Sequence, residues 1–361
     1  MGDSATILAE PLQDNRLAAE VPGILAIAWR MGWIDDLALS FALASTVAAA
    51  MLALACAPGC GSAKRRPTHA GAVSLILFNI GLADLFGALS WVVGSVRMGF
   101  THTHIVPVNL TLHGASAPPL EETTCTLTAV IGMWSFVAMS AWTCMLAAHL
   151  HAALVGLRPA DSLPCGGARA ARIALALWLV SAVPAGVAAP GHHLACVEGT
   201  RPPPGGGGAW EEATRWVWRA SFVALPLLTV TYCCLQYARV RLHFRRTSSL
   251  TLTSPVAPPA AGPPPTLRQR VLTLATKLDG RLLSYLIAYM ICQLPGLPAA
   301  IALDRYLSLN DSDAYIEYAN DPMMIARMVA NPLQGLVNAL VFWHHARRRM
   351  EERRLLLLHP W

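Results

Sequence analysis

The chain has 361 residues, of which 55% are hydrophobic and only 13% charged, with a formal net charge of +6. So few charges on so apolar a chain exclude a disordered polyelectrolyte and point to one integral-membrane domain. The basic excess is no sign of nucleic acid, because it gathers in alternate loops between apolar segments.

The first 30 residues contain acids and only short apolar stretches such as Val21–Trp29, so no cleavable signal peptide is expected and the first spanning helix is expected to serve as the signal. The opening Met1-Gly2-Asp3-Ser4-Ala5-Thr6 fits the loose myristoylation pattern, but an extracellular N-terminus would not meet the cytosolic enzyme. Seven apolar segments follow at about Asp36–Ala57, Ala72–Ser95, Cys125–Leu154, Ala170–Pro190, Val217–Tyr237, Arg281–Leu303 and Met323–Trp343. Each is near the roughly 20 residues that carry a helix across a ~30 Å hydrocarbon core. The expected fold is an all-α membrane protein, a seven-transmembrane helix bundle with its termini on opposite faces.

Lys and Arg orient the bundle. Nineteen lie in the loops and tail on the C-terminal side and eight on the N-terminal side, whereas 16 of the 21 acids lie on the N-terminal side. The positive-inside rule therefore predicts the N-terminus outside and the C-terminus cytoplasmic. This divides the chain into an extracellular tail (1–35), a spanning domain (36–343) and a cytoplasmic tail (344–361).

The loops carry further marks. Glycosylation triplets begin at Asn109 and Asn310, both in loops assigned to the outside. Of nine cysteines only Cys125 and Cys196 fall at the outer face, and in the oxidising secretory route that isolated pair is expected to bond. Between the fifth and sixth segments, residues about 247–266 are rich in Ser, Thr, Pro and Ala, with too few large apolar residues for a core, and are expected to be a disordered cytoplasmic loop. Ala346–Leu358, basic and then leucine-rich, suits an interfacial helix along the inner leaflet, which makes membrane lipid a partner.

Polar residues inside the segments are few and aligned. In the seventh, Arg327, Asn331, Gln334 and Asn338 are spaced four, three and four apart, a single helical stripe that lipid would penalise. In the sixth, Tyr285, Tyr289 and Gln293 repeat every fourth residue. Asp84 is the one acid at mid-membrane depth, and an intramembrane carboxylate is a functional candidate by default. Trp91, Arg97, Arg219, Gln293 and Arg327 are polar positions of the outer half and candidate ligand contacts. Pro184, Pro226, Pro295, Pro298 and Pro332 mark where helices four to seven can bend.

Several of these stretches resemble a family. The third helix, from Cys125-Thr126-Leu127-Thr128 through Ser140-Ala141-Trp142-Thr143 to His149, is similar to the cyclic-AMP-receptor-like (class E) G-protein-coupled receptors. So are Trp218-Arg219 with Phe222 and Pro226, and the seventh-helix stretch Asn331-Pro332-Leu333-Gln334-Gly335-Leu336-Val337-Asn338. The resemblance implies a plasma-membrane receptor that binds an extracellular ligand, not identified by the sequence, and activates a heterotrimeric G protein without cofactor, metal or enzymatic step. It further implies an internal polar switch at Asp84, Asn331, Gln334 and Asn338, and a partner-facing inner side flanked by Arg239, Arg241, Arg245 and Arg281.

Rhodopsin-like receptors are the alternative. Asn79 with Leu82-Ala83-Asp84, Trp178 and Asn331-Pro332 resemble their marks, but no Asp-Arg-Tyr closes the third helix and Gly335 stands where their tyrosine would be. A retinal-type pump would need a lysine in the seventh helix, and the chain's two lysines, Lys64 and Lys277, fall in loops. The histidine pairs His102/His104, His192/His193 and His344/His345 lie outside the spans and share no metal-binding spacing. No internal repeat of the transporter kind is present.

Overall fold

A computed structural model describes residues 15–57, 69–102, 119–155, 167–198, 213, 216–217, 219–252, 283–295, 297–298, 301, 322, 326 and 329–358, the outer turns of the longer helices by backbone alone. All regular structure among these residues is helical. We label the helices α1 (Asn15–Cys56), α2 (His69–His102), α3 (Pro119–Val155), α4 (Gly167–Glu198), α5 (Leu225–Leu252), α6 (Leu283–Gln293) and α7 (Gln334–Leu358).

Five stretches among the described residues are long and apolar enough to cross a membrane: Asp36–Cys56, Ala72–Val93, Thr123–Ala152, Ala168–Pro190 and Ala220–His243. The first five expected segments coincide with them to within a few residues. The sixth segment is represented by the shorter apolar α6, and the seventh by a broken turn at Asn331–Leu333 followed by α7.

The ends of the helices depart from expectation. Helix α1 starts at Asn15, inside the stretch read as a tail, because residues 15–35 are rich in helix-forming Ala and Leu. Helix α5 runs on to Leu252 and so takes in the first residues of the loop expected to be disordered; residues 253–266 lie outside the described set. Helix α7 continues without a break through Trp343 to Leu358, its 25 residues reaching about 37 Å at roughly 1.5 Å each. A helix turning aside along the inner leaflet would need a break near residue 344, and none occurs.

Helix α3 is central and packs against α2, α4 and α5, while α1 packs against α2 and α7. The main core gathers around the fully buried Trp142 of α3, with Leu52, Ile76, Leu146, Cys233 and Tyr289. Because lipid is as apolar as these side chains, close backbone approach and interhelical hydrogen bonds hold such helices together. Between α2 and α3 the approach is reciprocal. Ser90 Oγ donates to Gly87 O (2.7 Å) on its own helix, and Ser135 Oγ donates to Gly132 O (2.8 Å) on the other. A methyl group on Gly87 would lie 3.2 Å from Ser135 Oγ, and one on Gly132 would lie 3.1 Å from Ser90 Oγ. Each serine thus occupies the space left by the opposite helix's glycine. Outward faces are apolar and exposed, as on α4 at Leu175, Leu179, Val180 and Val183, where a membrane supplies the contact.

Candidate functional site: a polar seam at helices α1, α2, α6 and α7

Proline shapes this site first. Pro332 has no N–H to donate, and the chain tightens around it: Leu333 N donates to Ala330 O and Gln334 N to Asn331 O, both at 3.2 Å and both spanning three residues. Regular helix resumes at Gln334, so the turn Asn331–Leu333 is a joint just above the start of α7.

The next residue lets α7 approach closely. A methyl group on Gly335 would stand 2.6 Å from Ser45 Oγ, 3.1 Å from Ala49 Cβ and 3.2 Å from Asp84 Cβ, so only glycine fits between α1 and α2. Ser45 Oγ accepts the backbone N–H of Leu336 at 3.0 Å, which ties α1 to the first turn of α7. One turn further on, Asn338 Nδ2 donates to Asp84 Oδ2 at 2.8 Å. Gln293 Nε2, at the end of α6, donates to Gln334 Oε1 at 3.2 Å. The seam therefore joins four helices through five buried polar side chains: Ser45, Asp84, Gln293, Gln334 and Asn338.

The seam is incompletely paired. Asp84 Oδ1 and Asn331 Oδ1 are both buried with no hydrogen-bond partner among the described residues. Leaving such an acceptor unpaired costs about 1–3 kcal/mol, and the cost grows where water is scarce. An arrangement that supplies donors to these oxygens has a built-in advantage over this one.

A second cluster contrasts with it. Trp178 Nε1 of α4 donates to Asn79 Oδ1 of α2 at 2.8 Å, Asn79 Nδ2 donates to Leu75 O at 2.8 Å, and Trp134 Nε1 of α3 donates to Trp178 O at 3.0 Å. Phe86 stacks on Trp134 with centroids 5.9 Å apart, and Trp134 meets Trp178 edge-on at 5.3 Å. On the other side of α3, Ser140 Oγ and Tyr289 Oη share a 3.0 Å hydrogen bond, linking it to α6.

The entry to α5 is a π-turn, Ala220–Ala224, in which Leu225 N–H reaches back to Ala220 O. The wider turn relieves the clash that the ring of the buried Pro226 would make with the preceding carbonyls. Arg219, capping this turn, lies over the Trp216 ring at 5.2 Å, and Phe222 packs on Phe136 of α3 at 4.9 Å.

Of the four expected switch residues, Asp84, Gln334 and Asn338 are buried in the seam and Asn331 sits at the joint. Of the candidate ligand contacts, Trp91 and Arg219 are half-buried, and Gln293 is buried and committed to Gln334, which makes it part of the seam rather than of an outer pocket. The Arg97 side chain and Arg327 lie outside the described residues, as do Asn109, Asn310 and Arg281 and the side chains of Cys196 and Arg245. Among the described residues the free cysteines are Cys56, Cys144, Cys233, Cys234 and Cys292. Arg239 and Arg241 are both exposed on α5. Two residues apart, they emerge about 200° from one another around the helix and share no face. Among the described residues no group of three or more His, Cys, Asp or Glu is placed to hold a metal ion.

Sequence reading missed Ser45, and it named Ser140 only within the third-helix stretch, without its bond to Tyr289. The signal for Ser45 was its place in a stripe of small residues, Ala38, Ala42, Ser45, Ala49 and Ala53, all of which are buried. No protein-family model matches the chain, and no curated protein does.

Proposed function

We propose that the chain is a seven-helix receptor of the plasma membrane, N-terminus outside, that binds an extracellular ligand and activates a heterotrimeric G protein. The observation that carries this reading is the seam: a buried carboxylate, two unpaired buried oxygens and a proline joint, where α1, α2, α6 and α7 meet. A ligand that prefers one arrangement of these helices shifts the population toward it by its differential affinity, and no covalent chemistry is needed. Support for the cyclic-AMP-receptor-like reading comes from the seventh-helix stretch Asn331–Asn338, whose polar residues all belong to the seam or its joint. In this proposal Cys125 pairs with Cys196 over the outer mouth, Asn109 and Asn310 carry glycans, and Trp91, Arg97, Arg219 and Arg327 line the ligand side. Arg241, Arg245 and Arg281 face the G protein.

The rhodopsin-like reading has one observation in its favour. Asn79 and Trp178, two of the residues that carry that resemblance, meet in a 2.8 Å hydrogen bond. The two receptor readings share the mechanism and differ in lineage.

The test is G-protein activation in cells expressing the full chain, read by loss of proximity between G-protein subunits across a ligand panel and in its absence. Activation in any condition supports the proposal. A surface-delivered protein that activates no G protein but moves a solute across vesicles overturns it, and cytosolic accessibility of a tag at residue 1 overturns the orientation.

A further inference from the structure

Helix α7 changes character along its length. Its first turns are gripped by the bundle: Leu336 N–H donates to Ser45 Oγ of α1, and Asn338 Nδ2 donates to Asp84 Oδ2 of α2. Beyond Trp343 the same helix runs on unbroken to Leu358, about 22 Å at roughly 1.5 Å per residue. This extension carries five arginines, Arg347, Arg348, Arg349, Arg353 and Arg354, against two glutamates, Glu351 and Glu352. So dense a run of charge is not at home in hydrocarbon.

One face of the extension is apolar and open. Trp343 and Met350 are 42% and 57% exposed and stand seven residues apart, which places them within about 20° of one another around the helix. Leu357 falls at the next step of seven, on the same line. Basic positions frame that line: by helical spacing Arg347 and Arg354 lie on one side of it and Arg353 on the other, whereas the exposed Arg348 lies behind. Arg347 Nε donates to Glu351 Oε1 at 2.9 Å, with both side chains exposed. The pair occupies the acid nearest the apolar line, and an exposed pair of this kind is weak enough for Arg347 to exchange it for a carboxylate of a partner.

We infer that the extension of α7, from Trp343 to Leu358, is a docking helix for an acidic protein that closes an apolar groove around it, the chemistry that EF-hand calcium sensors present. Amphipathic helices enter such grooves through apolar anchors at steps of one and two turns, here Trp343, Met350 and Leu357. Calcium opens the Met-rich groove of a sensor of this type, and its acidic rim complements the arginines that flank the anchors. The occupant is a protein rather than the bilayer because a helix that lies on a membrane has to turn into its plane, and α7 passes Trp343 without a break. The inference goes beyond the receptor reading and does not depend on it.

The experiment uses the purified full chain in phosphatidylcholine nanodiscs, with calcium-loaded calmodulin as the probe and binding read by fluorescence anisotropy of the labelled probe. The wild type is expected to bind, and to release the probe when calcium is chelated. Met350→Glu is expected to weaken binding about thirtyfold, the effect of losing a central anchor. Met350→Leu, which keeps the anchor apolar, and Arg348→Gln, behind the line, are expected to leave it unchanged. No binding by the wild type would overturn the inference. Equal weakening by Met350→Glu and Arg348→Gln would overturn it too, by reducing the effect to general charge attraction. Loss of the probe when phosphatidylserine is added to the nanodisc would give the face to the membrane surface instead. Both sides of a nanodisc are open to the probe, so the result is read separately from orientation and from G-protein activation.

Discussion

The two polar clusters of the bundle are built from similar materials and finished differently. At the α2–α3–α4 corner, Asn79, Trp134 and Trp178 satisfy one another and the backbone, and the Phe86 ring packs against both tryptophans. At the α1–α2–α6–α7 seam, Asp84 and Asn331 each keep a buried oxygen without a partner among the described residues, and the helix is broken at Pro332. A fully satisfied network specifies one geometry, whereas a partly satisfied one beside a backbone joint leaves room for a second. On the proposed receptor reading the corner is the fixed frame of the bundle and the seam its movable part.

The most damaging way to break this contrast is to fill the seam. Gly335→Val puts side-chain carbon where Ser45 and Asp84 already stand, and overpacking of this kind is expected to cost about 3 kcal/mol, read as loss of surface delivery and of thermal stability in detergent. Gly335→Ala is milder, and because its closest contact is Ser45 Oγ, the added change Ser45→Ala should restore part of the loss. Failure of that rescue would place the crowding elsewhere.

Next in size is the corner. Trp178→Phe removes the donor to Asn79 Oδ1 and is expected to cost about 2 kcal/mol in thermal stability, the penalty of a buried acceptor left unpaired. If the corner is only a frame, the surviving surface protein signals with an unchanged ligand concentration dependence.

Smaller, but more telling, is coupling within the seam. Asp84→Asn and Asn331→Ala are expected to preserve expression and change basal or stimulated signalling, with a double mutant that departs from the sum of the singles by about 1 kcal/mol in signalling free energy. Strict additivity would make the two residues independent. The smallest expected effect is at Tyr289→Phe, which forfeits the bond to Ser140 and should cost about 0.6 kcal/mol in detergent stability, the average for an interhelical hydrogen bond in membrane. A loss several times larger would show that Tyr289 also holds neighbours by packing.

Much of this arrangement is legible along the chain, because hydropathy and helical spacing are local properties. The bounds of the first five spans, the Asn331–Gln334–Asn338 stripe and the isolation of Asp84 all follow from residue type and interval. The partners of those residues are not legible, since which helix faces which is decided by packing between segments far apart in the chain. Gln293 illustrates this: its outer-half position suggested ligand contact, and only the approach of α6 to the end of the joint commits it to Gln334. The run of α7 to Leu358 was hidden for a different reason. The change from apolar to basic near Ala346 suggested a change of direction there, but a helix can pass through such a change without bending. At Gly335 the sequence shows a glycine in a helix, and its cause, Ser45 Oγ, lies 290 positions earlier.

The central claim, that the seam moves while the corner holds, is tested most directly by measuring G-protein activation in cells for Asp84→Asn and Trp178→Phe at matched surface levels. The account predicts altered basal or stimulated activation for Asp84→Asn and wild-type activation for Trp178→Phe. Wild-type activation in Asp84→Asn together with altered activation in Trp178→Phe would contradict it.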